Sequence, residues 1–293
     1  MEPDLFIPDE KFYCQQYITY PPFKHGYYLE EYFLDYMQRT NRSKDRDGRT
    51  YIPAFWTAMQ IEGWFPEEKP RLQAILNKYI EEHPNTEAGY FTIVQHDDGV
   101  LLDLPANTVL YGACTGNTIL PLIYQDTNNT LVSKSRPSYE DKTILCSFIG
   151  SYTHELRKKC YDVLCEKPGF KFHLSHNWTS SVQNDAQELF IQTTLNSKFA
   201  LAPRGYGRSS FRFFEIFQLG CIPVYVWDDV EWLPYTELLD YSKFCISIHE
   251  NQIDELDTIL SKIDETKYQE MWKEYEKIKQ ICDRSLLFLT IYS

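Results

Sequence analysis

Between Ser197 and Asp229 the chain reads SKFALAPRGYGRSSFRFFEIFQLGCIPVYVWDD, two apolar runs separated by a loop and a helix-forming segment. IPVYVW is β-branched and aromatic with no polar alternation, so it must be covered on both faces, as a strand inside a parallel sheet is. SKFALAP is a second such run, closed by Pro203. Ser209 and Ser210 are good N-cap residues and Gly220 is a good C′ stop, so a helix of about ten residues fits between them. RGYGR carries glycines and arginines together, the composition of a loop that brings its backbone close to an anion.

The predicted helix is apolar through Phe211, Phe213, Phe214, Ile216, Phe217 and Leu219, while Arg212, Glu215 and Gln218 recur every three residues. A buried charge without compensation costs several kcal/mol, so this polar stripe must face partners or an open cleft. Arg204, Arg208 and Arg212 converge on the helix start, where backbone N–H groups and the helix dipole also favour negative charge; a phosphate or diphosphate fits there. Glu215, about one turn deeper at roughly 1.5 Å rise per residue, is placed to accept hydrogen bonds from hydroxyls such as those of a ribose. The plainer reading is an i,i+3 Arg–Glu pair on an ordinary core helix.

The chain has 293 residues, enough for two domains of ordinary size. A formal net charge of −13 argues against nucleic acid or an anionic membrane as the main partner, since both need a basic surface. MEPDLFIPDEKF has no basic region followed by an apolar run, so no signal peptide or anchor is expected. No run reaches the roughly 18 apolar residues of a spanning helix, and the C-terminal LLFLTIY reads as packing. The 8 cysteines form no CxxC pair, which suits reduced thiols in a cytoplasmic protein better than a zinc site or a disulfide framework.

A helix is expected from Tyr27, followed by the polar loop NRSKDRDGRT, whose Asp45-Arg46-Asp47 lies among basic residues with no strand before it, a poor setting for a metal. TYIPAFWTAM suggests a strand entering a helix. PEEKPRLQAILNKYIEEH places Leu72, Ile75, Leu76, Tyr79 and Ile80 on one helical face. A strand over Phe91–Val94 then delivers His96, Asp97 and Asp98 to its C-terminal end, where ligands gather in α/β folds and a base can stand. The same Asp-Asp-Gly is also good turn chemistry. NTVLYGACTG and NTILPLIY read as further strands, and the polar stretch 126–142 as a domain boundary. TILCSFIGS, HELRKKCYDVLCE, FKFHLSH and NDAQELFIQTTLNS then alternate as strand and helix, the last capped by Asn184 or Asp185. Arg157 falls in the first turns of the helix after Gly150-Ser151, within reach of the same phosphate or else a solvated helix charge. KFCISI is a strand, and 252–263 and 266–282 are helices. The alternation implies a parallel sheet with helices on both faces.

PRGYGRSSFRFFE, then QLGCIPVYVWDD, LPY and YSKFCISI, resemble the signature of the exostosin family of inverting glycosyltransferases. CSFIGS with Arg157, QHDDG and ILPL extend the resemblance more loosely over residues 90–250. It is similar in particular to the short soluble members encoded by large DNA viruses of algae, which act in the host cytoplasm. The resemblance implies a GT-B fold: two Rossmann-like domains facing across a cleft, an acceptor-binding domain over 1–138 and a nucleotide-sugar domain over 139–265, with a final helix over 266–293 that can pack back on the first. It implies a UDP-sugar donor, UDP-xylose first, and an oligosaccharide or glycoprotein acceptor. Ser209, Ser210, Arg157, Arg204 and Arg212 would hold the diphosphate, Glu215 the ribose, and IPVYVW would flank the base. Because arginines and a helix dipole can stabilise the leaving diphosphate, no metal cofactor is required. Asp97 would be the catalytic base, with His96 and Asp98 behind it. Two other classes fit less of the pattern: a non-catalytic scaffold binding nucleotide sugar or glycan, and a phosphoryl or nucleotidyl transferase, for which the GxxxxGK[ST] loop is missing.

Overall fold

A computed structural model describes residues 6–14, 19–122 and 126–281, so LLFLTIY lies outside the described residues. Two compact units form, and each has its own parallel sheet.

The first unit takes in the described residues 6–14 and 26–122. It contains α1 (Leu29–Thr40), β1 (Thr50–Tyr51), α2 (Trp56–Gln60), α3 (Phe65–Glu82), β2 (Tyr90–Val94), β3 (Thr108–Gly112) and β4 (Thr118–Ile119). The strands pair in chain order, all parallel. Every residue of β2 is buried, as a run without polar alternation requires. The predicted face of α3 goes inward through Leu72, Leu76 and Tyr79 against Trp56, Met59 and Val94, with Ile75 and Ile80 half-buried at its margin. Within this core the Trp56 indole donates to Thr92 Oγ1 at 2.7 Å, and that hydroxyl donates to the Ile52 carbonyl at 2.8 Å, so both buried polar groups are satisfied. Of the strand expected in NTILPLIY, the described residues pair over Thr118–Ile119, at Tyr111–Thr118 and Gly112–Ile119, and Ile123 and Tyr124 lie outside the described residues.

The second unit takes in 19–25 and 126–281 among the described residues. It contains β5 (Ile144–Ser151), α4 (Glu155–Leu164), β6 (Phe170–Ser175), α5 (Asn184–Leu195), β7 (Ser197–Pro203), α6 (Phe211–Gln218), β8 (Ile222–Trp227), β9 (Ile246–His249), α7 (Leu256–Ser261) and α8 (Glu265–Ile281). The sheet runs β6-β5-β7-β8-β9, every pair parallel. Counted within the unit this is strand order 2-1-3-4-5, whose direction reverses between β5 and β7. One face packs Cys146, Phe148, Phe199, Val224 and Val226 against α4, α7 and the start of α8. The other packs Ala200, Ala202 and Tyr225 against Phe213, Ile216 and Phe217 of α6. Both units are thus parallel sheets flanked by helices, the α/β architecture of GT-B proteins.

Several local expectations shift. α5 begins after Gln183, which makes no side-chain cap, so Asn184 and Asp185 lie inside its first turn. Lys243 falls in a 3-10 turn ahead of β9, and Glu250–Glu255 is a second 3-10 turn that leads into α7. The described turns of α8 pack on the second sheet: Tyr268 and Met271 are buried in its core, and the Tyr275 ring stacks on Phe217 at 4.0 Å and 3°. No helix among the described residues is long and apolar enough to cross a membrane.

Candidate functional site

In a sheet of this order the first strand's connection runs to one side and the third's to the other, leaving a crevice at their carboxyl ends. Two loops meet at that point: residues 152–154 after β5, which lead into the Arg157 turn of α4, and Arg204–Ser210 after β7, which carries Arg204 and Arg208. Arg157, on the first turn of α4, ties them together. Its Nε donates to the Arg204 carbonyl and its Nη1 to the Ser151 carbonyl, both at 3.0 Å. Those two contacts fix the guanidinium plane without neutralising it. Arg212 points to the same edge from α6, with Nε donating to the Ile149 carbonyl at 3.2 Å and the guanidinium 3.9 Å from the Phe190 ring centroid. Half-buried Ser209 and buried Ser210 precede α6; Ser210 is its N-cap, and its hydroxyl is not spent on capping. The structure therefore gathers Arg157, Arg204, Ser209, Ser210 and Arg212 at one end of one sheet.

Gly205 permits the close approach. A Cβ there would lie 3.2 Å from Arg157 Nη2 and 3.3 Å from Thr153 Oγ1. The Thr153 hydroxyl is buried and has no hydrogen-bond partner among the described residues, a state that costs about 1–3 kcal/mol unless a ligand answers it.

Other members of the constellation are more committed. Arg204 Nη1 lies 3.1 Å from both Asp228 Oδ1 and Asp229 Oδ1, and Arg208 Nε lies 2.8 Å from Asp229 Oδ2. Burial would raise the Asp229 carboxyl, but the Arg208 hydrogen bond and the charges of both arginines hold it below the usual range. His154 caps α4, its Nδ1 accepting from Leu156 N–H at 3.2 Å and its Nε2 facing Asp228 Oδ2 at 3.7 Å. Burial and the neighbouring arginines keep that ring below its ordinary pKa despite Asp228. A cavity of about 410 Å³ adjoins it, lined by Lys158, Lys159, Asp162 and Glu250 among others.

Glu215 does not open to solvent. Its side chain is 1% exposed; Oε1 accepts from Lys24 Nζ at 2.9 Å and Oε2 from Arg212 Nη1. Burial pushes this carboxyl up, but the two cations outweigh it and keep the group ionised. Arg212 and Glu215 of the α6 polar stripe thus face partners, one of which, Lys24, carried no local signal in the sequence, while the buried Gln218 Oε1 has no hydrogen-bond partner among the described residues. Asp228 and Asp229 were legible only as the end of a strand. Tyr20 also joins this edge, its ring 5.3 Å from exposed Trp178 and 6.2 Å from Phe211.

The His-Asp-Asp turn belongs to the first unit, at the carboxyl end of β2. His96 Nδ1 accepts from Asp98 N–H at 3.2 Å, and Gly99 N–H closes the turn on the His96 carbonyl at 3.0 Å. Burial lowers the His96 pKa against the pull of Asp97 and Asp98. With Nδ1 accepting, the neutral ring carries its proton on Nε2, while Asp97 and Asp98 are exposed carboxylates. Beneath the turn lies Glu30, buried on α1, with Oε1 accepting from Thr57 N–H, Thr57 Oγ1 and Gln95 N–H. Asp45 and Asp47, the DxD pair, both bind Arg49, and Asp45 Oδ1 also accepts from the Asp47 and Arg49 N–H groups, so the pair builds a turn. No group of three or more His, Cys, Asp or Glu residues among the described ones could hold a metal ion.

Residues 115–263 match the family described as Exostosin GT47 domain. A probable glucuronosyltransferase of Oryza sativa subsp. japonica is 29% identical over an alignment covering 80% of this chain and 63% of its own length. A probable glycosyltransferase of Arabidopsis thaliana is 32% identical over 31% of the chain and 19% of its own length, and a probable beta-1,4-xylosyltransferase of the same plant is 29% identical over 31% and 22%. The matched part spans less than two thirds of each of these relatives. The matched span holds all of the second sheet and every arginine gathered at its switch point, and on that ground the chain belongs to the Exostosin GT47 domain family.

Proposed function

We propose that this chain is an inverting, metal-independent glycosyltransferase that moves a sugar from a UDP-sugar, UDP-xylose first, to a hydroxyl of an oligosaccharide or glycoprotein. The observation that carries the reading is the paired anchoring of Arg157 and Arg212 by strand-end carbonyls, which holds two guanidinium groups beside the Thr153 hydroxyl and the α6 N-terminus. Their donors and the helix dipole suit a diphosphate. Ser209 and Ser210 offer hydroxyls to it, and Arg204 stands behind Arg157. Glu215 serves the donor site from beneath, through Arg212.

In the reaction, the acceptor oxygen forms a bond to the anomeric carbon as the bond from that carbon to the diphosphate oxygen breaks. The electron pair leaves with UDP, and the arginines take up its charge, so no divalent cation is needed. Asp97 accepts the hydroxyl proton, because the basic nitrogen of His96, Nδ1, is taken up by the Asp98 N–H and Nε2 carries the ring proton. Xylosyl and glucuronosyl transfer, the activities in the names of two relatives, define the first donors to try.

The test is a panel of UDP-sugars scored by thermal protection and by donor hydrolysis. A donor at about 100 times its Kd adds roughly 2.7 kcal/mol to stability. Asp97→Asn keeps that protection and loses transfer. If no UDP-sugar protects the protein the reading fails, and activity that vanishes in EDTA and returns with Mn²⁺ defeats the metal-free mechanism.

A further inference from the structure

Lys24 is a lysine with 0% side-chain exposure, set in a 3-10 turn (Pro22–Lys24) that belongs to the second unit although its partner Glu215 lies 191 residues away. Its stem passes the rings of Phe23 and Phe211, with Nζ 5.9 and 5.7 Å from their centroids. A lysine is seldom buried this completely unless the charge is used. Here Nζ takes one oxygen of Glu215 at 2.9 Å, and Arg212 takes the other.

We propose that Lys24 is a positioning residue for the donor diphosphate: by neutralising Glu215 it leaves the charge of Arg212 available to the ligand. The charge count shows why a third group is needed. Glu215 and Arg212 alone cancel, and an arginine whose charge is cancelled by a buried carboxylate gives little to a phosphate. Lys24 makes the triad net positive; burial lowers its pKa, and the Glu215 and nearby Asp126 carboxylates pull the other way. Arg212 can then spend Nη1 on Glu215 for orientation, spend Nε on the Ile149 carbonyl, and present its remaining edge at the β5–β7 switch point, where its side chain is still 25% exposed. Glu215 on this account does not touch the ribose. It is the hinge between a structural cation and a ligand-binding one. The inference rests on the donor-site reading above and deepens it.

The experiment is calorimetric titration of UDP and of inorganic pyrophosphate into wild type, Lys24→Met, Glu215→Gln, Lys24→Met/Glu215→Gln and Arg212→Ala, at one ionic strength, with thermal unfolding of each variant as the folding control. Lys24→Met should weaken both ligands about tenfold or more, the size expected for one charge-assisted contact. Removing Glu215 as well should restore both to within about threefold of wild type, because Arg212 is again uncancelled. A merely structural lysine would show its loss and its rescue in the unfolding temperature alone, so the proposal requires that Lys24→Met, while folded at the titration temperature, loses ligand affinity and that the double variant regains it. If Lys24→Met does not fold, the double variant, which orphans no buried charge, carries the test, and a loss beyond about tenfold in it overturns the proposal. So does wild-type affinity in folded Lys24→Met. A Glu215→Gln variant that loses UDP but keeps pyrophosphate also overturns it, by making Glu215 a ribose ligand. Arg212→Ala with unchanged UDP affinity overturns the donor site itself, and is thereby told apart from failure of Lys24 alone.

Discussion

Arg157 donates from Nε to the carbonyl oxygen of Arg204 at 3.0 Å, so the loop after β5 and the loop after β7 are held by one side chain. The same guanidinium reaches Ser151 O from Nη1. A lysine offers a point charge rather than a fork and cannot span both carbonyls. Arg157→Lys is therefore expected to lose UDP affinity by about tenfold or more, roughly 1.4 kcal/mol, despite keeping the charge. Titration of UDP into the folded variant checks this, and wild-type affinity would show that charge alone suffices.

Gly205 sets the gap those two loops share. Alanine there would bring a methyl group to 3.2 Å from Arg157 Nη2 and 3.3 Å from Thr153 Oγ1, contacts that force each neighbour back by a few tenths of an ångström. The expected outcome of Gly205→Ala is weaker donor binding with little change in unfolding temperature, since the neighbours are side-chain ends and not backbone. Thermal unfolding with and without UDP separates the two effects.

Glu31 supplies a stability signature for the first unit. Burial, with Glu30 beside it, lifts its carboxyl from the ordinary 4.5 to about 7, against the Tyr28 N–H that it accepts. Between pH 4.5 and 7 the folded chain holds a proton there that the unfolded chain has released, so this group makes stability fall as pH rises, by at most about 1.4 kcal/mol per pH unit. Glu31→Gln keeps an acceptor for Tyr28 and removes the titration. The variant should match wild type near pH 5 and unfold at a higher temperature near pH 7.5. A difference that does not change with pH would contradict the assignment.

Gly220 closes α6 with φ +73°, and a Cβ there would lie 2.4 Å from Arg136 Cδ. Gly220→Ala combines the cost of left-handed backbone with displacement of Arg136, which donates to the Gln218 carbonyl at 3.2 Å and lies 5.1 Å from the Trp272 ring. A loss of about 1–3 kcal/mol is expected in urea unfolding at unchanged m-value.

What the sequence disclosed follows the range over which each signal acts. The strands of the second sheet were legible because burial on two faces removes polar alternation, and α6 because a serine pair and a glycine bracket it. Of NTILPLIY, Thr118–Ile119 is what finds a pairing edge among the described residues, since an apolar run does not say how much of it will pair. Asn184 and Asp185 had cap chemistry but sit one step inside the helix. The arginines of the switch point could be found from RGYGR and HELR because each lies within six residues of its own strand end. The partner of Glu215 could not, because nothing in YPPFKHGYY distinguishes Lys24 from a surface lysine. Asp228 and Asp229 were in plain view, yet only the meeting of β7 and β8 shows that they balance Arg204 and Arg208.

The placement of residues 19–25 bears on how the protein is made. Phe23 fills a hollow among Leu131, Ile149, Phe190, Ile191, Leu195 and Leu219, and Lys24 follows it to Glu215. The ribosome delivers this heptapeptide before the wall it belongs to, so during synthesis Phe23 and Lys24 cannot take these places until α6 has emerged. A fragment cut at residue 124 would carry the whole second sheet and still be missing a piece of its own interior. Covalent order and architectural order part company here: the interior of the second unit is completed by a segment that precedes the whole first sheet in the chain.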